Sequence, residues 1–176
     1  MYHPLIKDAV PNDFVLRDRA VITGANASGK STFMKSLAIN CILAQRINTC
    51  SASEFSMKHV TVITCMALRD DVISGESYYL REAKYIKRML DIISKNEDVL
   101  IVIDEILKGT NTKERIAASK AIMHYVSEYN CFAVVATHDN ILAENEKYSP
   151  YYFSSKVSDE EFFFDYKIEA YIFHSI

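Results

Sequence analysis

The stretch Arg19–Ser31, which reads RAVITGANASGKS, decides the fold. Its first five residues form a short, mostly apolar run typical of a buried strand, and apolar residues recur at helical spacing from Gly29 to about Gln45. The eight residues from Gly24 onward match the pattern G-x-x-x-x-G-K-[ST] between this strand and this helix. A loop of this kind binds phosphate, so the stretch predicts an α/β fold with a nucleotide site.

The chemistry of this loop follows from its spacing. Two glycines let the backbone curl so that N–H groups point at phosphate oxygens, and the start of the helix adds partial positive charge. Lys30 would reach the β- and γ-phosphates, and the Ser31 hydroxyl would coordinate Mg²⁺. The nucleotide-binding residues predicted in this loop are Gly24, Ala25, Asn26, Ala27, Ser28, Gly29, Lys30 and Ser31.

Further strands and helices alternate along the chain. The predicted elements are strands at His59–Cys65, Val99–Ile103 and Phe132–Ala136, and helices at Ser77–Lys95 and from about Lys113 to Tyr129. Asn111 stands three residues before Glu114, the spacing of a helix cap and its partner in a capping box. Alternating strands and helices predict a largely parallel sheet flanked by helices.

Aromatic residues concentrate near the end of the chain. Ten of the 20 Phe and Tyr residues lie between Tyr148 and Phe173, with charged residues among them. This pattern predicts an aromatic-rich β segment of two strands, for which an antiparallel hairpin is one arrangement. The segment would either pack as an edge on the core or form an interface for a partner segment.

Composition excludes several classes of protein. The chain has 176 residues, of which 49% are hydrophobic, and a formal net charge of -3. This balance fits one domain with a sizeable core and argues against a broad contact with nucleic-acid phosphates. No apolar stretch is long enough to cross a membrane, and the four cysteines lack zinc-site spacing. The start of the chain has neither the basic region nor the long apolar region of a secretory signal, so we expect reduced thiols and a cytoplasmic location.

An acidic pair and a histidine follow two of the predicted strands. Asp104 and Glu105 come directly after Val99–Ile103, and His138 comes shortly after Phe132–Ala136. Carboxyl ends of parallel strands meet at the edge where such sheets bind ligands. Asp104 would then serve Mg²⁺, Glu105 would act as general base toward water, and His138 would contact the γ-phosphate. The alternatives are solvated acids at a strand end and a structural histidine.

A second anion site is predicted just before the helix at Ser77–Lys95. Ser74, Gly75 and Ser77 combine serine caps, a glycine and a helix N-terminus, which together favour an anion. Since the chain already has one phosphate-binding loop, this site would meet the γ-phosphate held by a partner subunit. A simple helix cap is the alternative.

The order of these motifs is similar to that of ABC-type ATPases, and the residues closely resemble the ATPase domain of the MutS mismatch-repair family. Thr23–Thr32 (TGANASGKST) resembles the family's TGPNMGGKST, and Asp70–Ser77 (DDVISGES) is similar to its DDLASGRS signature. Asp104–Thr112 (DEILKGTNT) is similar to DEIGRGTST, and Ala136–His138 matches its ATH segment. His3–Pro4 resembles the HP that opens the family's ATPase domain.

The resemblance implies an ATPase that works as a nucleotide-driven homodimer, hydrolysing ATP to ADP at two composite sites. ATP and Mg²⁺ would be its cofactors, and Asn26 and Thr32 would join the residues that hold phosphates and Mg²⁺. Ser77 would act in trans across the dimer. Phe14 lies where family members stack an aromatic ring on adenine.

The departures from the family define the alternatives. The 176 residues would form a single ATPase domain, without mismatch-binding, connector, lever and clamp domains, so DNA binding by this domain alone is expected to be weak. The loop also carries Ala25 and Ala27 in place of the family's Pro and Met. A transporter subunit is disfavoured because Ile73–Ser77 reads ISGES rather than LSGGQ. The remaining alternatives are a nucleotide-gated interaction module with little turnover and a truncated fragment of a larger MutS-like protein.

Overall fold

A computed structural model describes residues 1–66, 78–95, 98–107, 110–154, 156–158 and 161–171. Its strands are β1 (Arg19–Thr23), β2 (Thr61–Cys65), β3 (Val99–Asp104), β4 (Phe132–Ala136), β5 (Ser149–Phe153), β6 (Lys156–Ser158), β7 (Glu161–Phe163) and β8 (Ile168–Ala170). Its α-helices are α1 (Lys30–Ile47), α2 (Tyr78–Ile93) and α3 (Thr112–Ser127), and a 3₁₀ turn covers Asn140–Leu142.

Six strands form one sheet in the order β2-β3-β4-β1-β5-β8. The first five of these run parallel, and β8 pairs antiparallel with β5 at the edge. The predicted α/β class with a mostly parallel sheet flanked by helices is therefore confirmed. Sheets of this kind bury both faces, which explains why the central strands are continuous apolar runs.

Alternate residues of β3 pack against the helices on the two faces of the sheet. Val99, Ile101 and Ile103 pack in a core cluster that also contains buried residues of α2 and α3. Leu100 and Val102 belong to the cluster on the other face, which is built around α1. Because successive side chains of a strand point to opposite faces, one strand serves both cores.

The predicted elements agree with the structure to within about two residues at most of their ends. The Asn111 cap is also confirmed, since its Oδ1 accepts a hydrogen bond from Glu114 N at 3.0 Å. The aromatic segment is more complex than the two strands expected. Its first strand, β5, pairs parallel with β1 inside the main sheet, whereas the antiparallel hairpin is the separate β6–β7 pair.

The cysteines are free, and Cys41, Cys65 and Cys131 are buried. Burial, with a smaller contribution from the charge of Cys50, raises the pKa of Cys41 to about 11. The Cys41 thiol is therefore protonated at neutral pH and a poor nucleophile. Among the described residues, no helix combines the length and apolar character needed to cross a bilayer.

Candidate functional site

The register of three parallel strands places the candidate site at one edge of the sheet. Asp104 at the end of β3 pairs with Ala136 at the end of β4, and Ala136 pairs with Ile22 of β1. Two hydrogen bonds extend this alignment beyond the strands, from Glu105 N to Ala136 O and from Thr137 N to Ile22 O, each at 2.9 Å. The segments that follow the three strands therefore emerge side by side.

The Gly24–Ser31 loop adopts backbone conformations that require its two glycines. Gly24 has φ 146°, and a Cβ atom built there would lie 3.0 Å from both Phe153 O and Ser28 Oγ. Gly29 has φ 105°, and its Cβ would lie 3.1 Å from the Tyr166 ring. A side chain at either position would therefore combine a positive φ with a contact tighter than ordinary van der Waals distance.

The first turn of α1 is open to an anion. Gly29 is its N-cap and offers no side-chain acceptor, and no acidic residue lies in the first turn. The first N–H groups of a helix have no partner within it, so an uncapped start carries partial positive charge and free donors. The start of α3 differs, because Asn111 caps it.

Lys30 lies over the loop that precedes it. Its Nζ donates hydrogen bonds to the carbonyl oxygens of Gly24 at 2.6 Å and of Ala25 at 2.8 Å. Lys30 is only 6% exposed. The structure thus holds a buried ammonium group at the mouth of the loop.

A cavity of about 280 Å³ opens in front of this loop. It is lined by Asn26, Ala27, Ser28, Gly29, Lys30, Ser31, Thr32, Asp104, Glu105 and Tyr166. Ser28 is 1% exposed, and its Oγ has no hydrogen-bond partner among the described residues. A buried hydroxyl without a partner is costly, so this oxygen favours a polar ligand in the cavity.

The predicted metal residues meet directly. Ser31 Oγ donates a hydrogen bond of 2.6 Å to Asp104 Oδ2, joining the first turn of α1 to the end of β3. Asp104 is 8% exposed, although it lies at the end of a strand. A hydroxyl and a carboxylate this close form a pair of oxygen donors of the kind that Mg²⁺ prefers.

Glu105 and His138 are also brought together. Glu105 Oε1 lies 2.8 Å from His138 Nδ1, and both residues follow strands that end at the same edge. Glu105 has φ 63°, an uncommon conformation for a glutamate. The hydrogen bond from its N–H to Ala136 O stabilises this conformation.

Two charged residues at this edge escaped the sequence analysis. Arg115 of α3 contacts Asp139 with two hydrogen bonds, Nε to Oδ2 at 2.9 Å and Nη2 to Oδ1 at 3.0 Å. The hydrogen bonds from Arg115, with its charge, lower the pKa of Asp139. Arg115 Nη2 also lies 3.0 Å from His138 Nε2. The sequence offers one indication of this pair. Arg115 lies one turn into α3, Asp139 directly follows His138, and the two side chains carry opposite charges.

Tyr166 is a further residue that the sequence analysis missed. It lines the cavity and has φ 55°. Asn12 Nδ2 donates to Tyr166 O at 3.0 Å, and Ile168 N donates to Asn12 Oδ1 at 2.8 Å. These bonds hold the aromatic segment beside the Gly24–Ser31 loop.

Comparison with known families identifies the family to which the chain belongs. The family model for MutS domain V matches residues 20–174, almost the whole chain. The chain belongs to the MutS family. The resemblance drawn from the motifs is therefore confirmed.

Individual MutS proteins show the extent of the similarity. The DNA mismatch repair protein MutS of Fusobacterium nucleatum is 31% identical over 157 residues, covering 82% of this chain and 17% of that protein. MutS protein homolog 4 of Homo sapiens is 36% identical over 120 residues, covering 67% of this chain and 12% of that protein. The chain thus spans less than a fifth of the length of either relative.

Two further predictions are not tested by the geometry of this cavity. Ser74, Gly75 and Ser77 lie outside the described residues, so their trans role stays a prediction. Phe14 packs edge-on against Phe33, with ring centroids 5.2 Å apart, and lines a different cavity of about 810 Å³. Its role at adenine likewise stays a prediction, and Tyr166 is an aromatic residue that lines the cavity in front of the loop.

Proposed function

We propose that this MutS-family domain binds ATP with Mg²⁺ and hydrolyses it to ADP and phosphate. The observation that carries the proposal is the hydrogen bond from Ser31 Oγ to Asp104 Oδ2, at 2.6 Å, beside the uncapped start of α1. It joins the helix terminus that would bind phosphate to a carboxylate at the end of β3, the pairing that Mg²⁺-dependent phosphate chemistry uses.

The residues present fit a magnesium ion. The described residues contain no group of three or more His, Cys, Asp or Glu side chains that could hold a metal. Mg²⁺ in nucleotide sites does not need such a group, because one or two protein ligands act together with substrate phosphates and water. Ser31 and Asp104 would hold the ion, which would neutralise charge on the β- and γ-phosphates.

Phosphate binding would use the loop and Lys30. The backbone N–H groups of the loop and of the first turn of α1 would donate to phosphate oxygens. Lys30 Nζ would exchange its bonds to the Gly24 and Ala25 carbonyls for bonds to phosphate. Ser28 Oγ, which lacks a partner among the described residues, would gain one from the ligand, and Asn26 and Thr32 would line the same anion.

Water activation would fall to Glu105. Glu105 lines the cavity together with Ser31 and Asp104, so its carboxylate would stand beside a water molecule that attacks the γ-phosphate. A general base has to stand within hydrogen-bond reach of that water. His138, bound to Glu105 Oε1, would hold the carboxylate in place and contact the γ-phosphate side.

The wider assignment is an ABC-type ATPase that acts as a homodimer and is coupled to DNA mismatch repair or recombination. Support comes from the curated relatives, which are named as DNA mismatch repair proteins. Ser77 of one subunit would complete the site of the other. Since the chain is acidic overall, contact between this domain alone and DNA would be weak and easily displaced by salt.

Phosphate release measured against protein concentration and Mg²⁺ tests this proposal. We expect a specific rate that rises with protein concentration, because composite sites form only in the dimer. We also expect the rate to fall to background when EDTA removes Mg²⁺, since Ser31 and Asp104 hold the metal through hard oxygen ligands.

Two results would count against the hydrolysis proposal. One is a rate that is flat with protein concentration and unaffected by EDTA. The other is tight Mg²⁺-dependent ATP binding with no phosphate release at any concentration, which would favour a nucleotide-gated interaction module. Thermal unfolding with and without Mg²⁺ and ATP identifies binding in the second case, because ligands that bind the folded state raise the Tm.

A further inference from the structure

The placement of Arg115 follows from the start of α3. The Asn111 cap fixes where the helix begins, and Arg115 N donates to Asn111 O at 2.9 Å as one of the first intrahelical bonds. Arg115 therefore lies one turn into α3, where its side chain reaches the segment that follows β4. Its side chain is only 13% exposed, and that of Asp139 is 10% exposed.

The Arg115–Asp139 contact is bidentate. Two parallel hydrogen bonds join the guanidinium to the carboxylate, at 2.9 and 3.0 Å. Asp139 is itself anchored, because its N–H donates to Thr137 Oγ1 at 3.1 Å. A bidentate pair of this kind adds directional specificity to its charge, so the guanidinium has little freedom to turn.

The position of this guanidinium decides the tautomer of His138. Arg115 has only N–H donors, so at 3.0 Å from Nη2 the His138 Nε2 atom must be the acceptor. The proton of the ring then lies on Nδ1, which donates to Glu105 Oε1 at 2.8 Å. Asp139 Oδ1 is 3.8 Å from Nε2, too far for a hydrogen bond in this arrangement.

We infer that Arg115, held by Asp139, is a positioning residue that fixes His138 in its Nδ1–H tautomer and thereby orients the Glu105 carboxylate. The chain of contacts runs from Asp139 through Arg115 and His138 to Glu105, and each link is a hydrogen bond of 3.0 Å or less. The role of the oriented carboxylate rests on the proposed function, whereas the tautomer rests on geometry alone.

Imidazole ¹⁵N NMR of the full chain, without nucleotide, tests the tautomer. Wild type should show His138 mainly with Nδ1 protonated, and its signal is assigned from its loss in His138→Asn. In Arg115→Gln the ratio of the tautomers should move toward Nε2–H by about tenfold or more, since one charge-assisted hydrogen bond is lost. Asp139 Oδ1 then offers Nε2–H an acceptor.

Two matched variants distinguish the loss of the Arg115 contact geometry from a general loss of positive charge. Arg115→Lys keeps the charge but not the two-pronged contact, so its tautomer ratio should lie between those of wild type and Arg115→Gln. Arg88→Gln, at an exposed site on α2, should leave the ratio unchanged. A wild-type His138 protonated on Nε2, or a ratio that Arg115→Gln does not change, would overturn the inference.

Turnover gives the second readout. Arg115→Gln should lower kcat about 10-fold to 100-fold while KM changes by less than about twofold, because a displaced carboxylate impairs the chemical step and not nucleotide binding. An unchanged kcat together with a changed tautomer would overturn the positioning role. The NMR result does not depend on turnover, so a failure of the ATPase proposal is distinguishable from a failure of this inference.

Discussion

Glu105→Gln is expected to lower kcat for ATP hydrolysis by about 10²–10⁴-fold, the range that a general base contributes. Glutamine keeps the shape of the side chain and can still accept from His138 Nδ1, which bonds to Glu105 Oε1 at 2.8 Å. It cannot accept a proton from water at neutral pH. The loss should therefore appear in kcat, with ATP binding retained.

Single-turnover phosphate release and equilibrium ATP binding together measure this effect. Glu146→Gln is the matched control, since Glu146 is exposed in the turn before β5 and the same isosteric change there should leave both quantities unaltered. If Glu105→Gln retained the wild-type rate, Glu105 would not be the base. A Tm within the range of the wild type would show that the variant folds.

Lys30→Ala is expected to weaken ATP binding by more than about 100-fold. The Nζ atom donates to the Gly24 and Ala25 carbonyls and would exchange these bonds for two bonds to phosphate oxygens. Two charge-assisted hydrogen bonds at about 1.5–3 kcal/mol each give at least 3 kcal/mol, and each 1.4 kcal/mol is tenfold in Kd. Titration with a fluorescent ATP analogue in excess Mg²⁺ measures the change.

Lys35→Ala provides the comparison, because Lys35 is exposed on the same helix and carries the same charge. It should bind the analogue with wild-type affinity. Equal affinity of wild type and Lys30→Ala would contradict the assignment of the phosphate site. An equal and large loss in both variants would instead attribute binding to the overall charge of α1.

The sheet and its ligand edge were predictable because their signals are local. The apolar runs of β1, β3 and β4 are uninterrupted, and the two glycines and Lys30 mark where β1 must turn. Parallel strands end at a common edge, so the sequence could place Asp104, Glu105 and His138 beside the Gly24–Ser31 loop, where the structure shows their contacts.

The remaining residues of the site depend on distances that sequence does not encode. Arg115 of α3 lies 3.0 Å from His138, a contact between a helix and a segment that follows a different strand. Tyr166 reaches the loop because a residue with positive φ turns the chain back after the β6–β7 pair. Both placements arise from packing between segments far apart in the chain, for which no periodicity or motif gives a signal.

Strand β5 illustrates the same limit in the fold. Its sequence, SPYYF, contains a proline and alternates poorly, which is typical of an edge or a hairpin. It nevertheless lies inside the sheet, between β1 and β8. Partner strands on both sides, and not its own composition, determine its position.

Asn12 joins two distant segments of the chain at the cavity wall to which Tyr166 belongs. One buried amide group binds Tyr166 O and Ile168 N, residues more than 150 positions away along the chain. The N–H of Ile168 is therefore shielded only while the early segment and the aromatic segment remain joined. The hydrogen-exchange rate of the Ile168 amide therefore reports how often this wall of the cavity opens. The measurement needs no ligand in contact with that amide.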